Sequence, residues 1–594
     1  MQDYAVIGDG RTAALVATDG AVDWLCLPNF DSASTCGAIL DAGRGGSFEL
    51  GPTDPFESSR RYLPGTNVLE TTFTTGSGSV RVLDAMTVSA HGLEPMRELA
   101  RSVEGVAGQV SMRWRFTPRF GYAAGKPECG WRHSVPVASY GCDAVAVANW
   151  EAGQPVWNHE AVSAQFNIVA GGRALFALAA ANREPLVLPA RHAVEQRFAE
   201  TVRFWESWTG ARTYDGRWRD EVLRSALVLK LLIFAPSGAS VAAPTASLPE
   251  EIGGERNWDY RFCWTRDSHF AIDALLQLGS DEDAKSLLWW FMQATALTAP
   301  RLHPLYRLDG GLHVTERTLP LAGYRQSRPV RVGNAAIRQT QLDIYGHLFE
   351  TAWLYSEGRR ALDADMGRVL ARIADYVCHI WRQPDSGIWE VRNGPFHFTH
   401  SKVMCWVALD RAVRLAERGE LPARHMNRWK RESAAIEAYV ESECWSDTRG
   451  SYTRTAGDAR ADASLLMLPL VGYGRPERIN ATIDAVTREL REGDFVYRYR
   501  ADDGVPGGEG CFVNCSFWLV SALARVGRVD EATVLMERLV ARANDVGLYS
   551  EEIDPKNGDF LGNFPQALVH LALVDAALAL DRAAGQGDRS MGER

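Results

Sequence analysis

The residues best suited to chemistry in this chain lie in one glycine-led stretch, Gly253 to Ser268. There Trp258, Tyr260, Phe262 and Trp264 alternate with Arg256, Arg261, Arg266, Asp259, Asp267 and Glu255. Flat aromatic faces pack on the C–H face of a pyranose, while carboxylates and guanidiniums hold its hydroxyls by charge-assisted hydrogen bonds. A helix is expected to follow, so Asp267 alone is equally well explained as an N-terminal helix residue favoured by the dipole. That explanation does not account for the aromatic and charged mixture around it. Two further loops carry acids in similar surroundings. Ser386 to Arg392 holds Trp389 and Glu390 and leads into His397–Lys402; Gly547 to Asp554 holds Glu551 and Glu552. Hydrolysis of a glycosidic bond needs two carboxyl groups, one protonated and one ionised. An adjacent tryptophan, such as Trp389 beside Glu390, favours the protonated form by desolvation. With 74 acidic residues in the chain, residue types alone do not single out this pair.

Such loops need a scaffold that gathers them. From about residue 200 onward the apolar periodicity is helical, beginning with the stretch 218–234. Helices are expected at 216–234, 266–279, 284–298, 338–357, 362–381, 402–417, 426–441, 461–470, 480–490, 514–526, 529–543 and 564–583. Long polar or glycine-rich loops fall at 235–265, 299–337, 382–401, 491–513 and 544–563 and alternate with short links. Six helical hairpins close into an (α/α)6 toroid with its long loops on one face, where a site is expected. An open solenoid would show a repeat of about 20–50 residues, and none is visible. Before residue 200 the segments 68–73, 109–116 and 144–150 are β-branched or aromatic and partly alternating, with glycine-rich segments at 43–46 and 76–78. They predict an antiparallel β-sandwich. The expected organisation is a sandwich over 1–200, a helical linker over 201–215 and the toroid over 216–594.

Composition narrows the partners. The formal net charge is -10, which disfavours nucleic acid and anionic membrane and leaves a neutral small oligosaccharide unaffected. Many of the 19 tryptophans are expected in the core, and a sugar cleft would explain part of their excess. The ten cysteines include no CxxC pair; Cys511 and Cys515 have no metal-site partners in order, so reduced buried thiols are expected. The 13 histidines form no ligand cluster, and neither metal nor cofactor is expected. No apolar run of membrane-spanning length and no leader pattern is seen, which makes the cytoplasm the default location. A homo-oligomer is compatible with this composition.

The ordered motifs carry a resemblance. Asp19–Pro28, Ser247-Leu248-Pro249-Glu250, Arg256-Asn257-Trp258-Asp259-Tyr260-Arg261, Pro329–Ala336, Gly387–Arg411 and Leu561–Ala567 together resemble glycoside hydrolase family 15, which includes glucoamylases, glucodextranases and prokaryotic trehalases. The resemblance covers nearly the whole chain. It implies inversion by single displacement, with Glu390 as general acid and Glu551 as general base. It implies that Arg266 and Asp267 hold the terminal glucose and that Trp264 and Trp389 wall the pocket. His400 and Lys402 are candidate substrate contacts or helix-start residues. Glu552 is the rival for the base. Fungal members carry a second Glu after the acid, where this chain has Val391. An inverting pair should stand about 6.5–9.5 Å apart, with a raised pKa at the acid and an ordinary or lowered one at the base. The implied substrates are non-reducing ends of α-1,4- or α-1,6-linked gluco-oligosaccharides, releasing β-glucose. The alternatives are an α,α-trehalase and, in a different class, an inactive carbohydrate-binding protein, which would be expected to lack one of the two carboxylates.

Overall fold

Alternating burial along the first 182 residues lays them into antiparallel strands. The computed structural model describes residues 1–88, 97–357 and 362–592. The longest strand, Arg97–Phe116, is shared by both layers of the sandwich. Its first half pairs with Gly78–Met86 and Arg173–Asn182, its second half with Phe48–Pro52 and Ala161–Val169. A bulge at Val106, where Ser79 faces Ala107 and Val80 faces Gly105, bends it from one layer into the other. Edge-to-face aromatics fill the space between: Trp114 and Phe176 lie 5.5 Å apart, Phe48 and Phe116 5.6 Å. The expected strand segments at 68–73, 109–116 and 144–150 all fall in or against observed strands.

A helix α1, Arg191–Gly210, then leaves the sandwich. The division expected at residue 200 falls inside it. The remaining helices are α2 (Arg219–Leu232), α3 (Thr265–Gln277), α4 (Asp281–Thr298), α5 (Asp343–Glu357), α6 (Ala364–Ile380), α7 (Thr399–Glu417), α8 (Met426–Glu443), α9 (Pro476–Leu490), α10 (Val513–Arg525), α11 (Val529–Val540) and α12 (Ala567–Gly592). Helices α3, α5, α7, α10 and α12, with a short 3-10 turn at Ala463–Met467, form a closed inner ring. Helices α2, α4, α6, α8, α9 and α11 lie outside, one per hairpin, completing an (α/α)6 toroid.

Helix ends follow their capping residues. The helix expected over 461–470 is only the 3-10 turn. Asp462 caps it by accepting from the Ser464 N–H at 2.8 Å, and Pro469 cannot continue a helical ladder. The expected 338–357 helix starts at Asp343, because Asn334 caps a separate 3-10 turn, Ala335–Arg338. The 480–490 helix starts earlier, at Pro476, whose fixed φ suits a first turn. The ten cysteines are free and eight of them are buried. Among the described residues no helix is long and apolar enough to cross a membrane.

The sandwich braces the loop ahead of α3. The Trp24 indole donates to the Pro244 carbonyl at 2.8 Å, with both residues buried. Trp24→Phe removes the donor and leaves that carbonyl unpaired, at a cost of about 1–3 kcal/mol. We expect a lower thermal midpoint; an unchanged midpoint would show that this contact does not brace the two parts.

Candidate active site

The chain segments entering the inner helices converge on one pocket. Its walls include Trp258, Tyr260, Trp264, Arg266 and Asp267 from the first loop, Ile388, Trp389 and Glu390 from the second, and Glu551 from the third. Of the nine site residues expected from sequence, six line it: Trp264, Arg266, Asp267, Trp389, Glu390 and Glu551.

Local alternation decides which side chains of the first loop face the pocket. Trp258 and Tyr260 are half-buried pocket residues, while Asn257, Asp259 and Arg261 between and beside them are buried on the opposite side. Asp267 follows in the first turn of α3, where its Oδ1 has no hydrogen-bond partner among the described residues. Burial pushes the Asp267 carboxyl up to about 6, Arg266 opposing the shift and Glu390 adding to it. Arg266 is oriented by the Ile388 carbonyl, to which Nη1 donates at 3.1 Å. It also lies 3.6 Å from Asp267 and 3.8 Å from Asp343.

Glu390 sits in left-handed backbone, φ 60°, a costly conformation for a non-glycine residue that surrounding contacts must impose. Gln339 Nε2 donates to its carbonyl at 3.0 Å. The Trp264 indole donates to Glu390 Oε1 at 2.8 Å and Gln341 Nε2 to the same oxygen at 3.3 Å. Trp389 is fixed by its indole on Asp462 at 2.8 Å and by Trp518 and Phe512 around its ring.

Glu551 is held on both oxygens. The Tyr260 hydroxyl donates to Oε1 at 2.6 Å and the Asn563 N–H to Oε2 at 3.1 Å. Gly562, at φ 70°, makes room, since a Cβ there would stand 2.4 Å from that Oε2. Tyr260 and Trp264, the side chains that hold Glu551 and Glu390, touch edge to face with centroids 5.3 Å apart. Burial raises the Glu551 carboxyl, with Glu250 adding to the rise. The ordinary or lowered pKa expected at this position is therefore corrected: the site offers it little water and a like-charged neighbour.

Three expected contacts are placed elsewhere. Lys402 lies behind the second loop, where Nζ donates to the carbonyls of Trp381 and Gln383, at 2.6 and 2.5 Å, and ties that loop to α7. His400 is buried in the first turn of α7, its ring 6.3 Å from that of His347, and burial lowers its pKa to about 3. Glu552 turns off the pocket; its Oε2 accepts from the Gly510 N–H at 2.6 Å. Glu316, at the rim, binds Arg392 at 3.3 Å.

Sequence reasoning assigned no role to the wall built by Glu250, Arg256, Arg498 and Asp503. Arg256 forms a two-pronged pair with Asp503, at 2.7 and 2.8 Å. Arg498 binds Glu509 at 2.9 Å and Glu250 at 3.4 Å. Glu250 and Arg256 stood inside quoted motifs, and this was the only signal for them. Arg498 and Asp503 lay in the long loop 491–513 expected on the site face but were not singled out, because that loop meets the first from about 250 residues away.

The family model described as "Glycosyl hydrolases family 15" matches residues 216–578, and one described as "Trehalase-like, N-terminal" matches residues 1–129. A trehalase of Mycobacterium tuberculosis is 39% identical over 99% of this chain and 90% of its own length. A trehalase of Thermoplasma volcanium is 35% identical, over 98% and 94%. Among solved structures, a bacterial glucoamylase complexed with acarbose superposes with a TM-score of 0.70 at 12% identity, covering 98% of this chain and 93% of that one. At that identity the likeness is one of fold.

Asp267→Asn replaces a buried charged acceptor by a neutral amide. We expect a folded protein that loses about 2–4 kcal/mol in kcat/KM for its glucoside substrate. A loss of less than twofold would return Asp267 to a helix-start role.

Proposed function

The chain belongs to glycosyl hydrolases family 15, and from that membership we propose an inverting α,α-trehalase that uses Glu390 as acid and Glu551 as base. Activity on gluco-oligosaccharides comes with the family. The linkage is the finer step, and here the order expected from sequence is reversed: trehalose moves ahead of α-1,4- and α-1,6-linked chains. Full-length relatives named trehalase, at 39% and 35% identity, support this, as does the trehalase-like N-terminal match. A pocket wall that carries Arg256, Arg498, Glu250 and Asp503 also suits a substrate with hydroxyls on both sugars.

The observation that carries the mechanism is that Glu390 and Glu551 line one pocket, each held by a different aromatic of the same loop. Arg266 and Asp267 hold the outer hydroxyls of the terminal glucose. Glu390 gives its proton to the glycosidic oxygen as the bond from that oxygen to the anomeric carbon breaks. A water attacks the anomeric carbon from the other face and its proton passes to Glu551. Glu551 is preferred to Glu552 because it faces the pocket. The first half-sugar leaves inverted and the second keeps its configuration.

That difference gives the test. Proton NMR at the start of trehalose turnover should show α- and β-glucose appearing in equal amounts. Release of α-glucose alone would overturn inversion, and no turnover of trehalose would overturn the substrate. Glu390→Gln should spare α-glucosyl fluoride, whose leaving group needs no acid, far more than it spares trehalose. Glu551→Gln should abolish both reactions; full activity in that variant would move the base elsewhere.

A further inference from the structure

Glu250 has no part in the steps above, yet it lies among them. It follows the strand Ala246–Pro249, is 1% exposed and lines the same pocket as Glu551. One of its carboxylate oxygens lies within 4.8 Å of an oxygen of Glu551 and of one of Glu552. Glu552 is turned aside onto the Gly510 N–H, so Glu250 and Glu551 are the two that face the pocket.

Each of the two is held in place by hydrogen bonds from its surroundings. Glu250 accepts from the Trp258 indole at 2.9 Å and from Arg498 at 3.4 Å, with Arg256 at 3.8 Å. Glu551 accepts from Tyr260 and the Asn563 N–H. The other charges facing the cluster are Glu509, which is shared between Arg498 and Arg256, and Asp503, which is neutralised by Arg256. Glu390, on the second loop, also lines the pocket. No guanidinium is within salt-bridge distance of Glu551 among the described residues; the guanidiniums nearby are bound to Glu250, Glu509 and Asp503.

We propose that Glu250 acts on the reaction through Glu551, as a like-charged neighbour that strengthens it as a base. The inference rests on Glu551 being the base. A buried carboxylate beside another in a water-poor site binds a proton more tightly than it would alone. When the attacking water forms its bond to the anomeric carbon, one O–H bond breaks and the proton goes to Glu551. Glu250 makes and breaks no bond. It is a positioning residue in the electrostatic sense, and its carboxylate becomes easier to accommodate once Glu551 is neutral. Burial raises both carboxyls, and Glu250 adds to the rise at Glu551, in agreement with this arrangement.

The sign of the effect is fixed. Removing the Glu250 charge lets Glu551 stay ionised to lower pH and makes it a weaker base. In Glu250→Gln the acidic limb of kcat/KM against pH should therefore move down by at least about one pH unit, and the plateau should fall. Glu250→Asp, which keeps the charge one methylene further back, should fall between the variant and the wild type. If Glu250→Gln is too slow to assay, proton uptake on binding 1-deoxynojirimycin, followed by calorimetry in buffers of different ionisation enthalpy, reports the same titration. Its midpoint should also move down. Limbs and midpoints unmoved in both variants would overturn the proposal. Full activity in Glu551→Gln would instead overturn the assignment of the base, so the two failures are distinct.

Discussion

One buried ion pair sets the geometry from which the pocket follows. Asp259 and Arg261 are both out of contact with water, and such a pair is tolerated only when its remaining donors and acceptors are filled. Here they are. Arg261 Nε and Nη2 bind the two Asp259 oxygens at 2.8 and 2.7 Å, and Asp259 also accepts the Gly333 N–H at 2.9 Å. Arg261 Nη1 crosses to the sandwich and donates to the Ser32 carbonyl at 2.6 Å. Three stretches of chain are thereby locked together: the first catalytic loop, the loop at 333 and the N-terminal sandwich. Because side chains alternate, fixing Asp259 and Arg261 on the buried side aims Tyr260 at the pocket, where it holds Glu551. The sandwich thus shapes the pocket from outside it, by setting the angle of one tyrosine.

The same low-water setting explains the charge pattern of the wall. Arg256 with Asp503, and Arg498 with Glu509, leave few free charges. Burial pushes the pocket carboxyls Asp267, Glu250 and Glu551 toward the neutral form. An inverting enzyme needs its base to compete with water for a proton near neutral pH, and a carboxylate at its ordinary pKa is a weak competitor. The expectation of an ordinary or lowered pKa at the base treated the two carboxyls of the mechanism in isolation. It could not include a third carboxyl, Glu250, that folding brings beside Glu551.

Much of the architecture was legible in the chain. The change of periodicity near residue 200 and the alternation of long and short links carried the toroid, because both report burial directly. Helix α1 was expected only as a helical linker over 201–215 and in fact spans Arg191–Gly210, while the inner position at 463–467 was overestimated because an apolar run does not reveal the Asp462 cap or the stop at Pro469. At the site, motif order identified the residues that line the pocket. Lys402 and His400 fall in the first turn of α7, the helix-start alternative, and not among the pocket residues. Glu250, Arg498 and Gln341 owe their positions to contacts between loops far apart in the chain, which local patterns do not encode. Tyr260 was visible as an aromatic in a rich loop, but its bond to Glu551 was not.

The central claim is that this toroid directs family 15 chemistry to the α,α-1,1 bond. The most direct measurement is kcat/KM for trehalose, maltose, isomaltose and longer maltooligosaccharides, taken side by side on one preparation of the full chain. The account predicts that trehalose leads every other substrate by more than about tenfold, a difference of roughly 1.4 kcal/mol in transition-state binding. A lead by maltose or by the longer oligosaccharides would contradict it and return the enzyme to the glucoamylase side of the family.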